Sequence, residues 1–215
     1  MTLTQKVDEL SLRYDRYLPR PKHYSFVMSA AEQELFDRSV KKSKLYLEFG
    51  MGGSTFHALQ KSNARIYSID SSQEWINKMR EYWYIRIMEL TRLSLIFVDI
   101  GPVKQWGRPI GDNPALFPNY SAGIFKTIRK DKVDTVLVDG RFRVACTLRT
   151  ILECHANKRL QILIHDFWNR PQYHVVLRYL DVVAQRDTLG VFEVKKGIDL
   201  NAVQSDYETY KFDFA

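Results

Sequence analysis

The sequence predicts an α/β fold: a single doubly wound, mostly parallel sheet of seven strands whose last strand runs antiparallel. Three observations support it. Short apolar runs bounded by turn residues alternate five times with stretches of helical spacing. Each of the five runs ends in or beside an acid, namely Glu48, Asp70, Asp99, Asp139 and Asp166. Two more runs, 181–186 and 189–195, follow with so short a turn between them that they should pair antiparallel. At 215 residues the chain has the length of one such domain, with N-terminal helices over 1–42, a core over 43–196 and a tail over 197–215.

Residues 3–18 carry Leu3, Val7, Leu10, Tyr14 and Leu18 at helical spacing, and Pro19 and Pro21 stop the pattern. Ser29-Ala-Ala-Glu32 is a capping box opening a helix to about Lys42. Leu45–Phe49 then reads as a buried strand, followed by Gly50-Met-Gly52-Gly53-Ser54-Thr55 and a helix to about Ser62. Glycines free the backbone to turn sharply and let a ligand approach it, and the helix start offers unpaired N–H groups. A dinucleotide turn would need a third glycine where Thr55 stands, so that fingerprint fails.

Arg65–Asp70 is the second strand. Asp70 lies twenty residues beyond Gly50, the remove at which a nucleoside-binding sheet places an acceptor for ribose hydroxyls. Ser71 or Ser72 caps a helix with Trp75, Ile76, Met79 and Trp83 as its apolar stripe. Leu93–Ile100 is the third strand. Gly101–Tyr120, rich in proline and glycine, breaks the rhythm and interleaves Trp106, Phe117 and Tyr120, which reads as a lid or acceptor-side wall. A helical stretch over 121–130 precedes the fourth strand, Val133–Asp139, and a helix runs on to about Ala156. Leu160–Ile164 is the fifth strand, and Asn169-Arg-Pro opens a further helix. The tail from 199 reads as a surface helix.

Composition narrows the function classes. No apolar run reaches the roughly 18 residues of a membrane span. The charged N-terminus lacks a signal-peptide core. Cys146 and Cys154 have no metal-type spacing and fit free thiols in a reducing, cytoplasmic compartment. The net charge of +7 would suit a polyanion, but the basic residues are spread and form no block. Nucleic acid is therefore not the expected partner.

An acid two places before Gly-x-Gly-Gly-Ser-Thr, together with Val-Asp-Gly-Arg-Phe-Arg-Val-Ala-Cys and Ile-His-Asp-Phe-Trp, resembles the class I S-adenosylmethionine (SAM)-dependent methyltransferases. The likeness covers about residues 29–196 and is to the sugar and small-molecule O-methyltransferase branch. It extends to the methyltransferase domains of multidomain glycan-building enzymes of large algal viruses, which implies a piece of a larger chain working in host cytoplasm. The resemblance implies a Rossmann-like sheet, with Glu48, Gly50, Gly52, Ser54 and Thr55 along the methionine and ribose side of SAM. It also implies Asp70 and Ser71 at the ribose, Asp99 and the backbone of Ile100 at the adenine, and Asp139 and Gly140 near the sulfonium. Metal-dependent relatives carry paired acids after strand five, where this chain has His165-Asp166. A divalent metal on Asp139 and Asp166, with His165, is chemically open.

Methyl transfer to a hydroxyl needs in-line positioning and a base for the acceptor proton. Asp139, His165 and Asp166 are the candidates. Trp106, Arg108, Tyr120, Arg141 and Arg143 are the expected contacts to a carbohydrate or small-molecule acceptor. Two alternatives stay open: methylation of RNA or protein, and a SAM-binding module without catalysis.

Overall fold

The computed structural model describes residues 14–110 and 113–215. Most of the helix expected over 3–18 lies outside the described residues. Seven strands form one sheet in the order β3-β2-β1-β4-β5-β7-β6. They are β1 (Leu45–Phe49), β2 (Arg65–Asp70), β3 (Leu93–Phe97), β4 (Thr135–Val138), β5 (Gln161–Ile164), β6 (Leu180–Arg186) and β7 (Leu189–Val194). The first five pair in parallel. β7 pairs antiparallel with β6, as the short 187–188 turn requires, and also antiparallel with β5. β1 lies between β2 and β4, so the chain reverses its winding direction beside β1, where open α/β sheets bind ligands.

Side-chain alternation along the strands builds two cores. On one face, Leu45, Leu47, Phe49, Val136 and Val138 pack against α6 (Arg143–Cys154) and α7 (Leu200–Tyr210). On the other, Tyr46, Ile66, Leu137 and Leu163 meet α1 (Ala30–Val40), α2 (Gly53–Lys61), α3 (Gln73–Arg80) and α4 (Trp83–Glu89). The capping box of α1 is present: Glu32 N–H donates to Ser29 Oγ, and Ser29 N–H to Glu32 Oε2. Ser72 caps α3 by accepting from Trp75 N–H.

Several elements differ from expectation. The helix over Trp75–Trp83 is two, because Tyr82 is extended (ψ 123°) and Trp83 N–H bonds to Arg16 O instead. Trp83 therefore leaves the buried stripe. Residues 118–132 hold a short α5 (Pro118–Ala122) and two 3₁₀ turns, and the segment after Asn169 is a 3₁₀ helix over Pro171–Arg178. The tail helix is not confined to the surface: Val203 and Tyr207 are buried against the core.

Glu48 is the polar centre of the first layer. It is fully buried on β1, and four hydroxyls donate to it: Tyr46 and Ser54 to Oε2 at 2.8 Å each, Ser68 to Oε1 at 2.5 Å, and Thr55 to Oε1. Burial pushes its carboxyl above the ordinary range, against the pull of those hydroxyls. Glu48 thus ties β1, β2 and the first turn of α2 together from inside. Replacing it with leucine strands four buried hydroxyls, so Glu48→Leu should cost about 3 kcal/mol or more in urea unfolding. Glu48→Gln, which can still accept from some of them, should cost clearly less, and equal losses would refute the assignment.

Candidate functional site

Five turns meet at the carboxyl edge of the sheet. After β1, Gly50 has φ +92°, and a Cβ there would lie 2.5 Å from Gly140 N. The turns after β1 and β4 therefore touch backbone to backbone, and only glycine fits both the conformation and the contact. Among the described residues a Cβ at Gly52 would meet nothing within 4 Å, so to them this side of the turn is open. Gly52 N–H donates to Thr55 Oγ1 at 3.1 Å, which links the turn to the Glu48 cluster. A cavity of about 260 Å³ opens beside it, lined by Tyr24, Gly52, Phe56, Trp75, Met79 and Tyr82.

After β2, Asp70 is partly exposed and accepts from Ser72 N–H at 2.8 Å. Burial pushes its carboxyl up to about 6, with backbone N–H groups and Arg141 pulling the other way. Asp99, after β3, is exposed and accepts from Gly101 N–H at 2.8 Å. The loop that follows folds back on a Val103–Pro109 bridge. It brings Gly107 (φ +67°) to Ser71: a Cβ on Gly107 would lie 2.8 Å from Ser71 Oγ and 3.8 Å from Arg141 Cγ. Trp106 beside it is 70% exposed at the rim of the edge.

The turns after β4 and β5 are joined by one guanidinium. Arg143 is buried, and its guanidinium makes four hydrogen bonds besides an ion pair to Asp166. Nε donates to Gly140 O at 3.0 Å. One terminal nitrogen reaches Asp139 O and Asp139 Oδ1, each at 3.1 Å. The other reaches His165 O and lies 3.2 Å from Asp166 Oδ2. His165 Nδ1 lies 3.0 Å from the same Asp139 Oδ1, and its Nε2 faces Glu32 Oε2 at 3.6 Å. Asp166 also pairs with Arg170 at 3.0 Å. Burial raises the Asp166 carboxyl, but Arg143, His165 and Arg170 outweigh it and hold the group below its usual range. For His165, burial opposes the charge, but Asp139, Asp166 and Glu32 together lift its pKa above the ordinary 6.5.

These contacts rearrange the expected site. Gly52, Asp70, Asp99, Gly140 and Arg141 lie along the carboxyl edge of the sheet, and Gly52 lines the cavity there. Glu48, Ser54 and Thr55 do not line it: they are buried and spend their polar atoms on one another. Ser71 is likewise buried; Ile100 sinks its side chain into the apolar core, a placement compatible with its backbone lying beside a base. Phe117 and Tyr120 are core residues against Phe142 and not an acceptor wall, because α5 turns their rings into the sheet layer. Arg143 is not an acceptor contact either, since it is buried and bonded to the turns after β4 and β5. Arg108 is exposed, over the Phe214 ring. Glu32 was legible only as a capping residue; its place beside His165 depends on how α1 packs.

Ligand atoms of Asp139, His165 and Asp166 do lie within 4.8 Å of one another. The guanidinium of Arg143 nevertheless bridges the two carboxylates where a divalent ion would have to bind. Asp139 Oδ1 and Asp166 Oδ2 are already committed to it. The donor set does not fit a metal in this arrangement.

No protein-family model and no curated relative matches the chain. Solved structures do. A methyltransferase-like protein from Silicibacter pomeroyi is 25% identical over 90% of this chain and 99% of its own, with a TM-score of 0.75. A Corynebacterium glutamicum protein (8% identity, TM-score 0.53, covering 90% of this chain and 91% of its own) is similar in fold. So is a cofactor-bound protein from MTB (12% identity, TM-score 0.51, covering 90% of each). The chain has the class I SAM-dependent methyltransferase fold. Among the described residues no helix is long and apolar enough to cross a membrane.

Two outcomes follow from the charge network. Arg143→Ala leaves two carboxylates without their buried cation and should destabilise the fold by about 3 kcal/mol in urea unfolding, with Arg143→Lys restoring only part. His165 has a folded pKa above its unfolded value near 6.5, so its contribution to stability is complete below about pH 6.5 and is lost as the pH rises through the raised value. His165→Gln should flatten that segment of the stability–pH curve; an unchanged curve would remove the histidine from the network.

Proposed function

We propose that the protein transfers a methyl group from SAM to a hydroxyl of a sugar, in a glycan or glycoside. The observation that carries it is the meeting, at one sheet edge, of the open side of the Gly52 turn, Asp70 at the end of β2 and the Asp139–His165 pair across the β1–β4 contact. The likeness in fold to the Silicibacter pomeroyi methyltransferase-like protein supports it.

SAM supplies a sulfonium-activated methyl group. On this reading the Gly52 turn takes its amino-acid end, Asp70 accepts from its ribose and Asp99 faces its base. Asp139 is the residue for the acceptor proton. Its Oδ1 is held by Arg143 and His165, while among the described residues Oδ2 has no hydrogen-bond partner and the side chain is 27% exposed. His165 cannot take that role, since one ring nitrogen bonds Asp139 and the other faces Glu32. It orients Asp139. Asp166 is held by two arginines and fixes the β5 turn. Trp106, exposed beside the Gly107–Ser71 contact, offers a flat face to a sugar ring, with Arg108 next to it. The exposed rim and the absence of a basic block favour a sugar over RNA.

SAM binding by calorimetry should weaken at least about tenfold in Asp70→Ala, because the ribose loses a charged acceptor. In the wild type, affinity should fall as the pH drops through about 6, where Asp70 takes a proton. A chain that binds NAD and ignores SAM would end this assignment.

With a panel of sugars, glycosides and RNA at two salt concentrations, product should form on glycosides. Asp139→Asn should lower turnover by about 10²–10⁴-fold with SAM affinity kept. Trp106→Ala should raise the glycoside KM by up to about tenfold. Methylation of RNA alone, with steep salt dependence, would overturn the sugar acceptor.

A further inference from the structure

Arg141 stands apart from the other charged groups of the cleft. It follows Gly140 at the turn after β4 and is partly buried. Its Nε is closed off from solvent and has no hydrogen-bond partner among the described residues. Its neighbours are matched: Arg143 pairs with Asp139 and Asp166, and Arg170 with Asp166. Among the described residues no carboxylate lies within ion-pair distance of Arg141. Asp70 is the acid that attracts it across the edge, while Arg143 and Arg170 repel it. Burial and Arg143 together lower the pKa of the Arg141 guanidinium, so its charge is held at a cost that an incoming anion would relieve.

A second observation points the same way. The twelve-residue helix α6 begins at Arg143 with Phe142 as its N-cap, in the left-handed region (φ 56°), and no side chain caps it. An uncapped helix start carries a partial positive charge and free N–H groups. An arginine with no partner among the described residues and the uncapped, buried start of a long helix thus lie side by side at the strand edge, where Gly107 approaches Arg141.

We propose that Arg141, with the start of α6 behind it, is an anion-binding point that receives a carboxylate brought into the cleft. The planar fork of a guanidinium matches a carboxylate in two parallel hydrogen bonds. Two molecules could bring it: the amino-acid end of SAM, or an acidic acceptor such as a uronic-acid glycoside. The choice between these sources rests on the methyltransfer reading; the anion-binding point itself does not.

Calorimetry on wild type and Arg141→Gln separates the sources, using SAM, decarboxylated SAM, methyl glucuronide and methyl glucoside, the sugars with and without S-adenosylhomocysteine. If the carboxylate is that of SAM, Arg141→Gln weakens SAM by about tenfold or more and leaves decarboxylated SAM unchanged. If it belongs to the acceptor, SAM affinity is unchanged, and the wild-type preference for glucuronide over glucoside disappears in Arg141→Gln. Equal effects on acid and neutral partners, or no effect on either, overturn the proposal. Should Arg141→Gln not fold by circular dichroism, Arg141→Lys serves, keeping the charge without the fork and retaining part of the preference. Wild type that binds neither form of SAM defeats the methyltransfer reading, while the glucuronide arm still tests Arg141.

Discussion

The grip of the buried Arg143 guanidinium on two turns is the interaction on which the site depends. A guanidinium taken out of water is tolerated only if its charge and its N–H groups are met. Here it is met by two carboxylates and three backbone carbonyls, from the turns after β4 and β5. Those turns are adjacent only because β4 and β5 pair in parallel, ending at Val138 and Ile164. The sheet brings the acids together, and the arginine keeps them from repelling one another. Asp139 is held with one oxygen committed and the other open, and His165 is fixed in orientation by the same oxygen.

Glu48 performs a comparable task one strand away, without a cation. Its four partners are neutral hydroxyls, two of them on the first turn of α2, so the glycine turn is anchored from below. Acids in or just past the last residues of the strands thus divide into separate roles. Glu48 organises the interior and Asp166 holds a turn. Asp70 and Asp139 keep atoms toward the cleft. Burial separates them: Glu48 is fully enclosed, whereas Asp139 retains about a quarter of its side-chain exposure (27%).

The segment between β3 and α5 shows the same division among aromatic residues. Trp106, Phe117 and Tyr120 are interleaved in sequence, yet the last two join the core beside Phe142 and Phe49. The difference arises because Pro118 starts a helical turn whose inner face meets α6, whereas Trp106 lies on a tight loop with φ 63° that leaves its ring outside.

The sequence by itself determined the sheet, its antiparallel last strand and the row of strand-end acids, because these follow from hydrophobic periodicity and turn chemistry, which are local. It also marked the glycine turn, the α1 capping box and the Asp139, His165 and Asp166 cluster. What only the tertiary structure decided is which of those side chains face inward. Strand alternation placed Glu48 opposite the hydroxyls of Tyr46, Ser54, Thr55 and Ser68, contacts from two strands and a helix that no local pattern encodes. The roles of Arg141 and Arg143, two residues apart, diverged for the same reason. Helix α6 turns Arg143 inward between two carboxylates, while Arg141, one residue before the left-handed Phe142, is left on the cleft side with no acid in ion-pair reach among the described residues. Charge partners are set by how elements pack, and packing depends on residues far apart in the chain.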